Sequence, residues 1–244
     1  VPIRETSLLA TLFSRWMGKL RVLAKGVRGE KNRLTARFEP FTRLSVVYYE
    51  KLKSDTHLAS EVTVLDSNAF LRSRLNSFSY ASYLVELVDA LFGFHDPHPD
   101  IFELLAHAFL LLKTERPSYV ANVFEVKLLE RAGFLPILNR CVSCGDTKLN
   151  QFYFSSKQGG ILCPSCDRKE FGAVPISKEA IQSLLFFVKN NVSDAVKLNL
   201  SRQTENELER LREKLLQFQL EYPLHSLRFL TEIRPVLASP SSSA

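Results

Sequence analysis

Cys141-Val-Ser-Cys144, followed after 18 residues by Cys163-Pro-Ser-Cys166, is the stretch on which the fold of this chain turns. Two residues between cysteines allow a tight turn that aims both sulfurs at one ion. Two such turns complete the tetrahedron that zinc adopts in thiolate sites. Four thiolates leave no open coordination position, so a single zinc ion held here is expected to be structural rather than catalytic. Gly145 follows the first pair, Pro164 lies inside the second, and Phe152-Tyr-Phe154 and Gly159-Gly-Ile-Leu162 supply short strands between them. Two disulfides or four free thiols are the other readings. The start Val1-Pro2-Ile3-Arg4-Glu5 lacks the basic, apolar and small-residue order of a secretory signal, which favours the metal. Bound zinc would contribute roughly 10 kcal/mol or more to the folding of such an insert.

On both sides of the insert the apolar period is helical. Tyr80, Tyr83, Leu84, Leu87 and Leu91 fit one helical face, with Gly93 just beyond. Asp96-Pro-His-Pro99 forces a turn, because proline fixes its own φ and pushes its predecessor away from helix. A second helix is expected from about Asp100 to Lys113. A third follows Pro117, carrying Val120, Phe124, Leu128 and Ala132 on one side and Gly133 as its C′ residue. The helical pattern resumes near Ser177. Thr204-Glu-Asn-Glu207 reads as a capping box opening a helix with Leu208, Leu211, Leu215 and Phe218 inward, closed by Pro223. Glu205, Glu207 and Glu209 read as the solvated acidic end of that helix. The tail Ala238-Ser-Pro-Ser-Ser-Ser-Ala244 is expected to be disordered.

From Ser7 to Leu65 the sequence favours strands instead. Ser7 to Phe13, Lys19 to Ala24, Phe41 to Tyr49 and Leu58 to Leu65 are rich in Val, Thr, Leu and Tyr. Alternation of Leu20, Val22 and Ala24 with Arg21, Leu23 and Lys25 sends one set inward and the other outward. Between these strands Lys25-Gly-Val-Arg-Gly-Glu-Lys-Asn-Arg33 has two glycines and one acid among its basic residues, the composition of a mobile basic loop.

The charge is segregated in the same way. The chain of 244 residues carries a net +6, yet residues 1–55 hold 12 Lys and Arg against 5 Asp and Glu, while the remainder holds 20 against 21. The excess belongs to the strand-forming quarter, the pattern of a footprint for a polyanion. Candidates to contact phosphates are Arg15, Lys19, Arg21, Lys25, Arg28, Lys31, Arg33, Arg37 and Arg43. Trp16, Phe38, Phe41, Tyr48 and Tyr49 are candidate stacking surfaces. A solvated basic face is the plain alternative for the cations. For the aromatics, burial in a small barrel core is the expectation.

Hydrophobic residues make up 45% and charged residues 24%, ordinary globular values. The richest apolar run, Leu104 to Leu112, falls far short of the roughly 20 residues needed to cross a bilayer, so no membrane role and a cytoplasmic location are expected. No G-x-x-x-x-G-K-[ST], G-x-G-x-x-G or G-x-S-x-G occurs, and no H-x-E stands beside the cysteine pairs. His95 and His98, flanking prolines, read as surface-loop residues. No acid/base pair presents itself, and the chain is not expected to be an enzyme. An RNA-binding factor of translation or transcription, combining an OB-fold with a zinc ribbon, is the competing class.

The order of features is itself specific. Arg4-Glu-Thr-Ser-Leu-Leu9, Gly18-Lys-Leu-Arg21, Ala24-Lys-Gly26, Pro40-Phe41, Ser79 to Leu87, Phe124-Glu-Val-Lys-Leu-Leu129, Gly133-Phe-Leu-Pro136 and the two cysteine pairs together resemble the RecO family of bacterial DNA repair proteins over essentially the whole chain. The resemblance implies an α+β multidomain chain: an OB-fold β-barrel over residues 1–73, a helical domain over 74–138 and 173–235, a zinc ribbon inserted at 139–172, and a disordered tail at 236–244. It implies a recombination mediator that binds single- and double-stranded DNA and anneals complementary strands. With RecR, such a protein promotes RecA loading on DNA coated by single-stranded DNA-binding protein (SSB), whose acidic C-terminal tail it contacts. By the same match, DNA contact falls on Lys19, Arg21, Lys25, Arg28, Lys31 and Arg33, and more weakly on Arg15 and Arg37. A nucleoid-associated location follows from such a role. Lys127 and Arg131 are nominated for the tail by charge and position. Family members begin with a strand ending in an apolar run before the Arg4-Glu5 position, and only Val1-Pro2-Ile3 precedes it here, so the first barrel strand is expected to be truncated.

Overall fold

The computed structural model describes residues 2–3, 7–25, 38–51, 54–170, 172–220 and 222–238. The chain divides into two compact units, Val1–Pro117 with Ser226–Ala244, and Ser118–His225.

The first unit begins with β1 (Pro2–Ile3), β2 (Ser7–Ser14), β3 (Gly18–Ala24), β4 (Arg43–Tyr49) and β5 (Thr56–Asp66), in the sheet order β1-β2-β3-β5-β4. β3 pairs antiparallel with β2 and parallel with β5, and β5 pairs antiparallel with β4. The alternation expected of β3 holds: Leu20, Val22 and Ala24 are buried while Arg21 faces solvent. Among the described residues no pairing joins β1 to β4. The basic segment 26–37, including Arg28, Lys31, Arg33 and Arg37, lies outside the described residues.

Asn68 and Arg72 fasten the strands to the helices that follow. The Asn68 amide donates to the Phe41 carbonyl at 2.9 Å, and the Arg72 guanidinium donates to the carbonyls of Pro40 and Ser67, both at 2.8 Å, while pairing with Glu39 at 2.6 Å. A short α1 (Ala69–Ser73) leads into α2 (Leu75–Leu91), which buries Tyr83, Leu84 and Leu87, and α3 (Pro99–Leu111), which buries Ile101, Leu104 and Ala108. The expected stacking candidate Phe41 packs edge-on against Phe78 and Phe109.

In the second unit α4 (Pro117–Arg131) buries every residue from Tyr119 to Leu129 except Asn122. It ends in a Schellman turn, with the Gly133 N–H donating to Glu130 O at 3.1 Å and the Phe134 N–H to Leu129 O at 2.8 Å. Gly133 has φ +79°, the left-handed conformation that this turn demands. Next come β6 (Phe152–Ser155), β7 (Gly160–Leu162), α5 (Pro164–Asp167) and β8 (Val174–Ile176), with a three-stranded sheet ordered β7-β6-β8. Then follow α6 (Lys178–Lys189), α7 (Val192–Ala195) and α8 (Arg202–Gln219). The last helix, α9 (His225–Ala238), returns almost entirely to the first unit. It carries helix three residues into the stretch expected to be tail, and residues 239–244 lie outside the described residues.

One boundary differs from the sequence expectation. α8 starts at Arg202, capped by Ser201, whose hydroxyl accepts the Thr204 N–H at 3.1 Å. Thr204 is therefore the third helical residue and is buried rather than a cap. Ser201 competes successfully because it is a better cap residue and stands at the right spacing. The side chain of Phe218 lies outside the described residues, while Leu208, Leu211 and Leu215 are buried as expected. The acids of this helix are also not merely solvated. Glu205 pairs with the Tyr119 hydroxyl, Glu209 stands 3.9 Å from Arg212, and Glu207 accepts the Ser177 N–H at 2.8 Å.

Burial pushes the Glu207 carboxyl up, but the bonds from Ser177 and from the Gln203 amide outweigh it and hold it below its ordinary range. A depressed carboxyl stabilises the fold above its unfolded pKa, and that contribution fades as pH falls through the folded value. Glu207→Gln is expected to cost about 1 kcal/mol in urea denaturation at pH 7, with the gap to wild type closing below about pH 4.

Candidate metal centre and nucleic-acid interface

The cysteine insert is built as two knuckles brought together by a hairpin. In the first, the Gly145 N–H returns to Cys141 O at 2.9 Å and the Cys141 N–H to Asp146 O at 2.8 Å. In the second, Cys163 caps α5, and the N–H groups of Cys166 and Asp167 donate to its carbonyl at 3.1 and 2.9 Å. Strands β6 and β7 pair Tyr153 with Leu162 and Phe154 with Ile161, and the Val142 N–H donates to Ile161 O at 2.9 Å, which locks the first knuckle beside the hairpin. Cys141, Leu162 and Cys163 form a small buried core packed by Val142, Leu149, Tyr153 and Ala173. Glu170, accepting from the Gln158 amide at 2.7 Å and the Ser155 hydroxyl at 3.0 Å, ties the hairpin to the chain beyond the second knuckle.

All four sulfurs lie within 4.8 Å of one another, and those of Cys144 and Cys163 are 3.8 Å apart. No disulfide links them. A tetrahedron with metal–sulfur bonds of about 2.3 Å sets its sulfurs about 3.8 Å apart, so the donor set fits a four-coordinate metal. Among the described residues these cysteines are the one group of three or more such side chains gathered closely enough to hold an ion. Burial pushes the Cys141 thiol up, but N–H groups of Cys144, Cys163 and Ser143 outweigh it and bring the thiol down from 9.0 to about 6. At Cys144 the Asp146 N–H pulls the thiol down, yet the crowding of the Cys141 sulfur, burial and the other two sulfurs push it up to about 12. The cluster thus favours one thiolate over several, the behaviour expected where like charges converge.

The basic strand presents a different picture from an even row of cations. Arg21 is exposed, with its guanidinium 4.5 Å from the centre of the Phe94 ring, and Lys25 and Arg43 are exposed as well. Lys19, on the same face of β3 as Arg21, has only 12% of its side chain exposed. Its ammonium bonds to the Asp89 carboxylate at 2.9 Å and to the Asp89 carbonyl at 2.7 Å. Arg15 pairs with Glu103. Both cations are thus engaged by acids on the neighbouring helices. Lys127, nominated as a partner contact, is 8% exposed, and its ammonium donates to the Val188 carbonyl and stands 3.5 Å from Glu130. Its place is internal, because a charge on a buried part of a helix must be satisfied within the fold. Arg131 lies at the exposed end of α4. Of the aromatics, Trp16 and Tyr49 are 68% and 66% exposed rather than in the core, while Tyr48 stacks on His57 at 5.0 Å. Phe94, Asp89 and Glu103 escape sequence reasoning, since each sits in an ordinary helical or post-helical context and nothing local announces its cation.

The recombination protein O N-terminal family model matches residues 1–68, and the recombination protein O C-terminal model matches residues 72–228. The chain belongs to the RecO family. The DNA repair protein RecO of Caldicellulosiruptor saccharolyticus is 28% identical over 235 residues, covering 96% of this chain and 95% of that protein. The DNA repair protein RecO of Symbiobacterium thermophilum is 29% identical over 236 residues, covering 95% and 92%. That of Acetivibrio thermocellus is 28% identical over 228 residues, covering 93% and 90%. RecO membership assigns the chain to DNA repair and recombination. Among the described residues no helix is long and apolar enough to cross a membrane.

Cobalt(II) added to metal-free protein is expected to give the intense thiolate charge-transfer and d–d absorption of a tetrahedral site, saturating at a single ion per chain. Cys163→Ser should weaken or abolish that absorption. Because ligand sulfurs must be deprotonated, acidification should release the metal progressively, followed by the loss of the same bands.

Proposed function

We propose that this protein is a non-enzymatic recombination mediator that binds single- and double-stranded DNA, anneals complementary strands and, with RecR, promotes RecA loading on SSB-coated DNA in the cytoplasm, at the nucleoid. The observation that carries this function is the ordered match of both RecO family models along nearly the whole chain. The segregated charge supports it. The mechanism is electrostatic. Cations of the N-terminal region neutralise phosphates of two strands and lower the repulsion that opposes their pairing. Arg21 and Lys25 are the described residues best disposed for this, and Arg28, Lys31, Arg33 and Arg37 belong to the same basic segment. Lys19 and Arg15 are assigned a supporting part, because their charges are already shared with Asp89 and Glu103.

The strand order β1-β2-β3-β5-β4, with its parallel β3–β5 pair, supports an OB-fold over residues 1–73. Residues 74–138 and 173–235 form the helical domain that engages protein partners, among them the acidic SSB tail, for which Arg131 remains the nominated contact. Residues 139–172 form a zinc ribbon in which Cys141, Cys144, Cys163 and Cys166 hold one structural zinc ion. That ion would supply the charge that lets all four sulfurs ionise together.

Binding to single-stranded DNA through about six phosphates should give a slope of log affinity against log salt near −4, with about 0.7 lost for each cation removed. Strand annealing by a variant with Arg21, Lys25, Arg28, Lys31 and Arg33 neutralised should be much slower than by wild type. Equal rates, or a salt slope near zero, would contradict the electrostatic mechanism.

A further inference from the structure

Trp16 stands at the tip of the β2–β3 hairpin with 68% of its surface exposed. Turn chemistry does not account for it. Tight turns select Gly, Asn, Asp, Ser or Pro for backbone reasons, and an indole offers none of these. Solubility argues against it as well, since an exposed ring at a tip leaves a large apolar area in water.

The turn that carries it is held firmly. The Ser14 hydroxyl accepts the N–H groups of Trp16 and Met17, each at 3.4 Å. Gly18, at φ +63°, closes the turn, and a Cβ there would strike the backbone of Asp96. Just beyond, the His95 N–H donates to Lys19 O at 3.0 Å, and Phe94 bridges to Lys19 in parallel. The Arg15 guanidinium lies 5.9 Å from the centre of the indole and 5.4 Å from that of Phe102, and its pairing with Glu103 fixes it there. The backbone that carries the indole is thus braced, with a cation beside the ring, which leaves less to be ordered when a ligand arrives.

We infer that Trp16 is a stacking platform for an unpaired base of single-stranded nucleic acid, a role that rests on the DNA binding proposed above. Strand β3 leaves this turn carrying Arg21 and, just after its end, Lys25, both exposed, so a strand whose base sits on Trp16 can run along cations five and nine residues further on in the chain. A flat π-face beside a track of cations is what a single strand requires. A duplex keeps its base faces covered and would meet the cations alone.

This is the chain's single tryptophan, so its fluorescence reports on this position alone. Binding of a labelled mixed-sequence oligodeoxynucleotide, followed by anisotropy, is compared with Trp emission and acrylamide quenching in the same titration. Stacking predicts that emission falls and acrylamide access is lost in step with anisotropy. Trp16→Ala should weaken single-strand binding about tenfold, with Trp16→Phe within about threefold of wild type, while duplex of equal length binds wild type and Trp16→Ala within about twofold. Anisotropy that rises while the indole stays unquenched and accessible overturns the stacking role and leaves DNA binding intact, as expected if the ring instead docks into a protein. Equal single-strand affinities of wild type and Trp16→Ala overturn it too. No anisotropy change at all overturns both the platform and the DNA-binding function beneath it.

Discussion

Strand β3 must serve as a wall of the core and as a charged surface at once, and the N-terminal unit is organised by that constraint. It is paired on both sides, to β2 and to β5, so its backbone groups are spent on the sheet and its side chains alone decide which face is wet. A shift of a single residue would drive Lys19 and Arg21 into the interior and expose Leu20 and Val22. Lys19 helps to hold the register. Its carbonyl accepts from the His95 N–H and its ammonium donates to the Asp89 carboxylate and carbonyl oxygens, so the helical layer is keyed to the same strand that carries the charge.

The second unit meets a comparable problem with buried charge. Glu125 is fully buried on α4 and lies 2.8 Å from the Arg212 guanidinium of α8, which also bonds to Asn122. Lys127, two residues on, is satisfied by the Val188 carbonyl of α6. Buried ion pairs of this kind add little net stability over a well-packed apolar pair, yet removal of one partner is costly. They therefore fix which helices sit against α4 more than how strongly the unit holds together.

The elements that were legible in the sequence are those written in local period and spacing. The β3 alternation, the face of α2, the Gly133 terminus and the cysteine pairs each depend on residues a few positions apart. The start of α8 was misplaced because Ser201 and Thr204 both suit a cap, and only the backbone decides between them. The strand β8 was missed because Val174-Pro-Ile176 is too short and proline-broken to read as a strand, although it completes the sheet with β6. The pinning of Lys19 and Arg15 was invisible for another reason: their acids lie 70 and 88 residues away along the chain, where no periodicity connects them. Charge composition shows how many cations a segment has, and tertiary pairing decides how many of them remain available.

The first unit draws on both ends of the described chain: α9 brings Ser226 to the Glu86 carboxylate, which accepts its N–H at 2.7 Å and its hydroxyl as well, across a separation of 140 residues. During synthesis, that partnership has to wait until the second unit has left the ribosome. The N-terminal strands therefore spend most of translation without α9, so the nascent protein is a stage at which a chaperone, or a slow codon late in the message, would have the greatest influence on yield.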